Sequence, residues 1–168
     1  EIIQNADDAG ADTIRFDINE KSLHVWNNAT FATCGLGSDR CDWETDPDNR
    51  RRKACDFHAI STVGSGNKYG DPALIGRFGI GFVSVYQITD TPIIRSLDVQ
   101  LQLDPLREKN TITNIPEIDG SEFELPWAND ENSPIRDALS ASAIHTNDLD
   151  ALQDGLVRVA NDCLLFLR

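Results

Sequence analysis

Methionine is missing altogether from these 168 residues, so the stretch holds no initiator and is expected to be the core of a longer polypeptide. Positive charge is scarce as well: 15 Lys and Arg stand against 28 Asp and Glu, for a formal net charge of −13. Phosphate-backbone contacts need clustered cations, so this balance argues against a general nucleic-acid binder, while leaving room for a nucleotide whose charge is met locally. No apolar run reaches the 18 residues of a membrane helix, and neither a secretory signal nor a terminal lipidation motif is visible; an intracellular, membrane-free domain is the expectation. Repeats and low-complexity tracts are also absent. A chain of this length is most simply one domain, able to bury about 70% of the surface its unfolded form exposes.

What is present begins with punctuation. Glu1 to Ala9 reads as a helix closed by Gly10. Two β-type runs follow, Thr13 to Ile18 and Leu23 to Val25-Trp26, with Asn19-Glu20-Lys21-Ser22 as the turn between them. A second glycine-rich turn, Gly76-Arg77-Phe78-Gly79-Ile80-Gly81, opens a helix running from Phe78 to Ile88. Bare backbone N–H groups at such a turn can hold phosphates, and an acid four residues from an amide on one helix face can offer a base and a metal ligand to the same nucleotide. Beyond Ile88 the pattern predicts a meander of strands near 92–96 and 98–103, a loop from Asn110 to Asp119, and a strand at 122–127. Helices near 133–142 and 147–160 follow, and a last strand at 162–167 closes the sheet.

Order and context make these parts more specific than any one of them. Glu1-Ile2-Ile3-Gln4-Asn5-Ala6-Asp7-Asp8, Val25-Trp26-Asn27-Asn28, the stretch Ile60 to Lys68, Gly76 to Asp90, Asp104-Pro105 and Gly120 to Leu125 follow one another as in the GHKL nucleotide-binding superfamily of gyrase B, histidine kinases and ninety-kilodalton heat-shock chaperones. Within it the chain most resembles the sacsin type. The resemblance implies a two-layer α/β sandwich: a mixed, mostly antiparallel sheet, helices on one face, and a nucleotide held under a flexible lid at residues 59–76. It implies ATP and Mg²⁺ as ligands, slow hydrolysis, and other domains of the same polypeptide or client proteins as partners.

On that likeness Glu1 is the general base and Asn5 a Mg²⁺ ligand, while Asp8 positions ligand waters or a lid residue. Asn27 stands where the wider family has an Asp that accepts from the adenine amino group; Asn-Asn after a strand is equally a turn signal. Ala29 and Phe31 stand where glycines usually follow. Gly76, Arg77, Phe78, Gly79, Ile80, Gly81 and Lys68 would surround the phosphates, and Ser121 would lend a hydroxyl. The competing reading is a non-hydrolysing regulatory or scaffold domain that keeps the fold with a degenerate site.

The segment 32–58 departs from the gyrase and chaperone pattern. It is polar and turn-rich, and its Cys34, Cys41, Cys55 and His58 supply the three thiolates and one imidazole of a tetrahedral Zn²⁺ site. Six residues separate the first pair, looser than ordinary zinc motifs, and four unremarkable side chains are the alternative. Cys163 lies in an apolar run and reads as a core thiol. The basic run Arg50-Arg51-Arg52-Lys53 reads as a solvated face offset by neighbouring acids.

Overall fold

A computed structural model describes residues 2–37, 40–48, 54–64, 80–107 and 110–163. Alternation builds its sheet. In β1 (Ile14–Ile18) and β2 (Ser22–Asn27) every second side chain turns inward, and the strands pair antiparallel from Ile14 opposite Asn27 to Ile18 opposite Leu23. The turn expected between them forms because Asn19 Oδ1 accepts from the N–H groups of Lys21 (2.8 Å) and Ser22 (3.1 Å), replacing backbone acceptors the reversal cannot supply.

β2 pairs next with the C-terminal part of β4 (Thr111–Pro126), and β4 with β3 (Ile93–Gln102), giving the order β1-β2-β4-β3. All these pairings are antiparallel, so the mixed sheet expected from the family likeness is purely antiparallel among the described residues. Two further expectations are corrected here. The meander at 92–103 is one strand: the ladder shifts at Leu97, whose φ is +56°, and the inward set changes from Ile94 and Ser96 to Val99 and Leu101. Across these shifts β3 moves from Ser96 to Val99 while β4 moves from Ser121 to Asn114, so the extra residues lie on β4, and the parity change they accompany along β3 imitates a strand end in sequence. The loop expected from Asn110 to Asp119 is, from Thr111 on, the first half of β4, pairing with the outer half of β3.

One face of the sheet carries the core. Leu23, Val25, Ile94, Leu101, Phe123 and Leu125 are buried there together with Phe57 and Ile60 of α3 (Asp56–Gly64) and Phe82 of α4 (Ile80–Val83). Each such side chain contributes on the order of 1.5–3 kcal/mol by leaving water. The opposite face is polar: His24 sits across from Glu124, Trp26 from Glu122, and Arg95 bonds Glu124 at 2.7 Å.

Of the helix expected from Phe78 to Ile88, the described part is α4 followed by a tighter 3₁₀ turn over Ser84–Gln87, which buries Val85 and Tyr86. α5 (Pro134–Leu139) starts at Ser133, whose hydroxyl accepts from Ile135 N–H with Pro134 in the first turn, and stops at Ser140 in the left-handed region. α6 (Leu149–Cys163) sets Leu149, Leu152 and Leu156 against the core at helical spacing. It also corrects the strand expected at 162–167: residues 162 and 163 are helical, and 164–167 lie outside the described residues. α1 (Ile2–Asp8) buries Ala6 and packs Ile2 on the core. Among the described residues no helix is long and apolar enough to cross a membrane.

Arg136 joins the helical layer. Its side chain is 2% exposed, yet its guanidinium bonds Asp90 (2.9 Å), the carbonyls of Gln87 (2.8 Å) and Tyr86, and that of Thr89. One side chain from α5 thus satisfies the carbonyls left over where the 3₁₀ turn ends.

Candidate functional site

At one end of the core face a cavity of about 290 Å³ opens between α1, the loop after β2, and segment 32–58. Asn5 and Asp8 line it from α1, Asn27 from the end of β2, and Ser121 from β4, so four residues singled out from distant parts of the sequence meet in one place.

Asn27 and Ser121 are held by side-chain hydrogen bonds. Asn27, 4% exposed, accepts at Oδ1 from the N–H of Ala29 at 3.0 Å, which makes it the pivot of the turn leaving β2. An amide oxygen has two lone pairs, so one remains for a further donor. Asn28 is a staple on the outside of the same turn, accepting from Asp12 and Thr13 N–H and donating to the Asp12 carboxylate. Behind Asn27 lies Gly120, with φ +77°; a Cβ built there would come within 2.1 Å of the Asn27 carbonyl oxygen. The strand reaches the site only because that residue has no side chain.

The Ser121 hydroxyl donates to Ala29 O at 2.7 Å and lies 2.9 Å from the Ser96 hydroxyl, which accepts in turn from Phe31 N–H at 3.0 Å. Both serines are buried, and together they hold the 29–31 loop against the sheet. Phe31 stands edge-on to Phe57 (5.1 Å) and Phe123 (6.0 Å), so this side chain packs on the core and still borders the cavity.

The far wall belongs to the polar segment. α2 (Asp42–Thr45) brings Trp43 to the cavity, and Ala54 and Asp56 join it from the start of α3. Just behind them Cys34, Cys41, Cys55 and His58 converge, with all four potential ligand atoms within 4.8 Å of one another. Cys55 Sγ is 3.7 Å from Cys34 Sγ and 3.1 Å from His58 Nδ1, and Cys34 Sγ is 3.4 Å from the same nitrogen. Ligands on a tetrahedral ion at about 2.3 Å for sulfur and 2.0–2.1 Å for nitrogen lie roughly 3.5–3.8 Å apart, so the group is close to the spacing a metal requires. The three thiols are free, and the Cys55 N–H donates to Cys41 Sγ at 3.1 Å, orienting one ligand through the backbone of another.

Electrostatics divide the thiols. Burial pushes Cys34 up, but N–H groups of Leu36 and Asp42 and the neighbouring thiols outweigh it and leave Cys34 below the ordinary thiol value. Burial pushes Cys55 up to about 12, opposed by bonds from the backbone of His58 and Cys34 and reinforced by the charge of the Cys34 sulfur. A cation is the natural resolution of three sulfurs and a ring nitrogen packed this closely, because it draws the protons off all of them.

Glu1, Lys68 and the turn residues Gly76, Arg77, Phe78 and Gly79 lie outside the described residues, as does the basic run 50–53. Ile80 and Gly81 open α4. Of the lid expected at 59–76, residues 59–64 are the latter part of α3, and the remainder lies outside the described residues. Sequence reasoning missed Trp43, Ala54 and Asp56 as cavity residues; the only signal was their adjacency to the metal-type ligands. Arg136 carried no signal, since an arginine on a short amphipathic helix ordinarily faces water.

An open antiparallel sheet with a helical layer, a cavity at its end and a Cys₃His group behind the cavity wall make this an α/β domain. The sacsin domain family matches residues 1–117, and the chain belongs to that family. It is 36% identical over 123 residues to human (Homo sapiens) sacsin, an alignment covering 62% of this chain and 2% of that protein. The chain thus spans a very small part of the relative's length.

Proposed function

We propose that the cavity is the base-and-metal half of a GHKL-type ATP site. The observation that supports this most is the convergence of Asn5, Asp8, Asn27 and Ser121 on one cavity. At about 290 Å³ it is at the small end of the roughly 300–1,000 Å³ usual for small-molecule sites, a fit for a nucleoside. Asn5 and Asp8 offer the oxygen ligands Mg²⁺ prefers, and Mg²⁺ would supply charge neutralisation at the phosphates. Asn27 uses its remaining lone pair to accept from the adenine amino group, without the charge an Asp would bring. Glu1 is the general base for slow hydrolysis, and Lys68 with the Gly76–Gly81 turn holds the phosphates. Nucleotide occupancy then alters contacts with other domains of the longer protein or with clients. The Cys₃His group we read as a Zn²⁺ centre.

The second reading, a regulatory or scaffold domain that binds without hydrolysing, is favoured by two features. Asn27 Oδ1 already serves the turn through Ala29 N–H, and an aromatic side chain, Phe31, fills a glycine position at the cavity.

Calorimetric titration of ATP, ADP and a non-hydrolysable ATP analogue, with and without Mg²⁺, tests the proposal. Mg²⁺-dependent binding that weakens in Asn5→Ala and loses its metal dependence is the expected result. Absence of binding by all three nucleotides overturns the ATP reading. Binding with turnover no higher than in Glu1→Ala, measured in the intact longer protein, selects the scaffold reading.

A further inference from the structure

Five residues of the cavity wall, Phe31, Ala32, Trp43, Ala54 and Asp56, stand in or beside the polar segment, and each is within three residues of a member of the Cys₃His group. Ala32 is two residues before Cys34, Trp43 two after Cys41, and Ala54 and Asp56 flank Cys55. The wall is tied across the same point. Ala32 N–H donates to Asp56 Oδ2 at 2.7 Å, Asp56 N–H donates back to Ala32 O at 3.1 Å, and Cys55 N–H donates to Cys41 Sγ.

Regular structure is sparse in this segment. Among the described residues from 32 to 55 there is no strand and one single-turn helix, and the buried side chains are Cys41 and Cys55. Three chain passages, near 34, 41 and 55–58, meet at the four ligands. Phe31, Leu36, Trp43 and Ala54 pack only partly buried against the core, whereas the converging side chains join all three passages at a single point.

Resting on the Zn²⁺ reading above, we propose that this ion is the fastener of the cavity wall: zinc occupancy decides whether the far side of the ligand cavity is assembled, and the centre is thereby a structural control point for the site. On binding, the thiols release their protons and the three sulfurs and His58 Nδ1 close on one ion, drawing the 31–34, 41–43 and 54–58 passages together. The link is reciprocal: whatever ligand uses this wall tightens the hold on zinc by the same factor that zinc tightens the hold on the ligand.

Metal analysis and hydrogen exchange on the full chain test this, using zinc itself as the probe. The purified protein is reconstituted with Zn²⁺, dialysed, assayed for metal, and compared before and after removal by a strong chelator and again after zinc is restored. Expected are close to one zinc per chain and, after stripping, exchange at least ten-fold faster at residues 31–36 and 54–58, while the β2 and β4 amides of 22–27 and 121–126 stay protected. Restored zinc should restore the protection. Cys34→Ser should behave like the stripped protein, and Cys163→Ser like the wild type. Failure to retain zinc after reconstitution overturns the metal reading and the inference with it. Retained zinc with unchanged wall exchange on stripping overturns the inference alone. Simultaneous loss of protection in wall and sheet also overturns it, because zinc would then support the whole domain rather than its wall.

Discussion

Two polar stretches of this chain, the described part of 32–58 and 111–119, are held in opposite ways. In the first, three passages of backbone converge on a point, where the four ligand atoms of Cys34, Cys41, Cys55 and His58 lie within 4.8 Å of one another. In the second, backbone alone suffices: the outer half of β4 lies along β3 with Gln102 opposite Thr111 and Val99 opposite Asn114, although most of its side chains are exposed. A point-held region concentrates its stability in a few side chains. A ladder-held region spreads it over many hydrogen bonds, each worth only about 0.5–1.5 kcal/mol net. The contrast predicts where single substitutions are severe and where they are tolerated.

The largest effect is expected at another point-held place, Arg136. Replacing it with Met keeps much of the volume but strands Asp90 and removes the donor from three carbonyls at the end of the 3₁₀ turn. A loss of about 3–5 kcal/mol is expected in urea unfolding, since a buried ion pair broken on one side leaves its partners uncompensated. Arg136→Lys should recover only part of it, because one ammonium cannot reproduce the planar fork. A change under about 1 kcal/mol would show that the stability of this corner is spread out as in the ladder, and the comparison would lose its general form.

Gly120 breaks the comparison from the other side, as a β4 residue in the irregular step between Ile118 and Ser121 where one atom decides. A Cβ there meets the Asn27 carbonyl oxygen at 2.1 Å, and the φ of +77° is itself unfavourable for any L side chain. Neither obstacle can be relieved by a rotamer change, because both partners are backbone. Gly120→Ala is expected to cost about 2–4 kcal/mol, combining overpacking with left-handed strain. It should also displace Asn27, so any ligand of the cavity should bind more weakly than stability alone explains. A thermal melt within experimental error of wild type would show that the strand and the turn move apart freely.

Much of the hairpin and the helical layer was legible because local chemistry and tertiary role agree. Asn19 sits where its side chain can make the β1–β2 turn, Ser133-Pro134 announces α5, and Leu149, Leu152 and Leu156 keep helical spacing on α6. The bulge at Leu97 was not legible, because a parity change in burial looks like two strands. Nor was the start of β4: its apolar residues are sparse, and Pro116 argues against a strand. At the site, residue types were readable while their partners were not. Asn27 offers the same amide to a nucleotide or to a turn, and its approach to Gly120 joins residues far apart in the chain. The Cys₃His group was legible as a set despite its loose first spacing, because the folded loops, rather than a short motif, bring the ligands together.

The smallest effect is expected at Pro116, and it sharpens the account of β4. The ladder runs through Leu97 opposite Ile118 and resumes at Val99 opposite Asn114, so residues 115–117 fall in its irregular step. Proline donates no N–H, and at this step none is called for; it also stands on the side of β4 where β2 pairs only from Ser121 onward. Pro116→Thr should therefore change unfolding free energy by no more than about 0.5 kcal/mol, the range of an exposed substitution away from special features. A gain above about 1 kcal/mol would mean that the proline was interrupting a ladder otherwise ready to continue, making the free end of β4 a strained element rather than a settled one. A comparable loss would mean that its fixed φ holds the irregular step in place, so that this ribbon too depends on one residue and differs from segment 32–58 only in using backbone instead of thiol chemistry to do it.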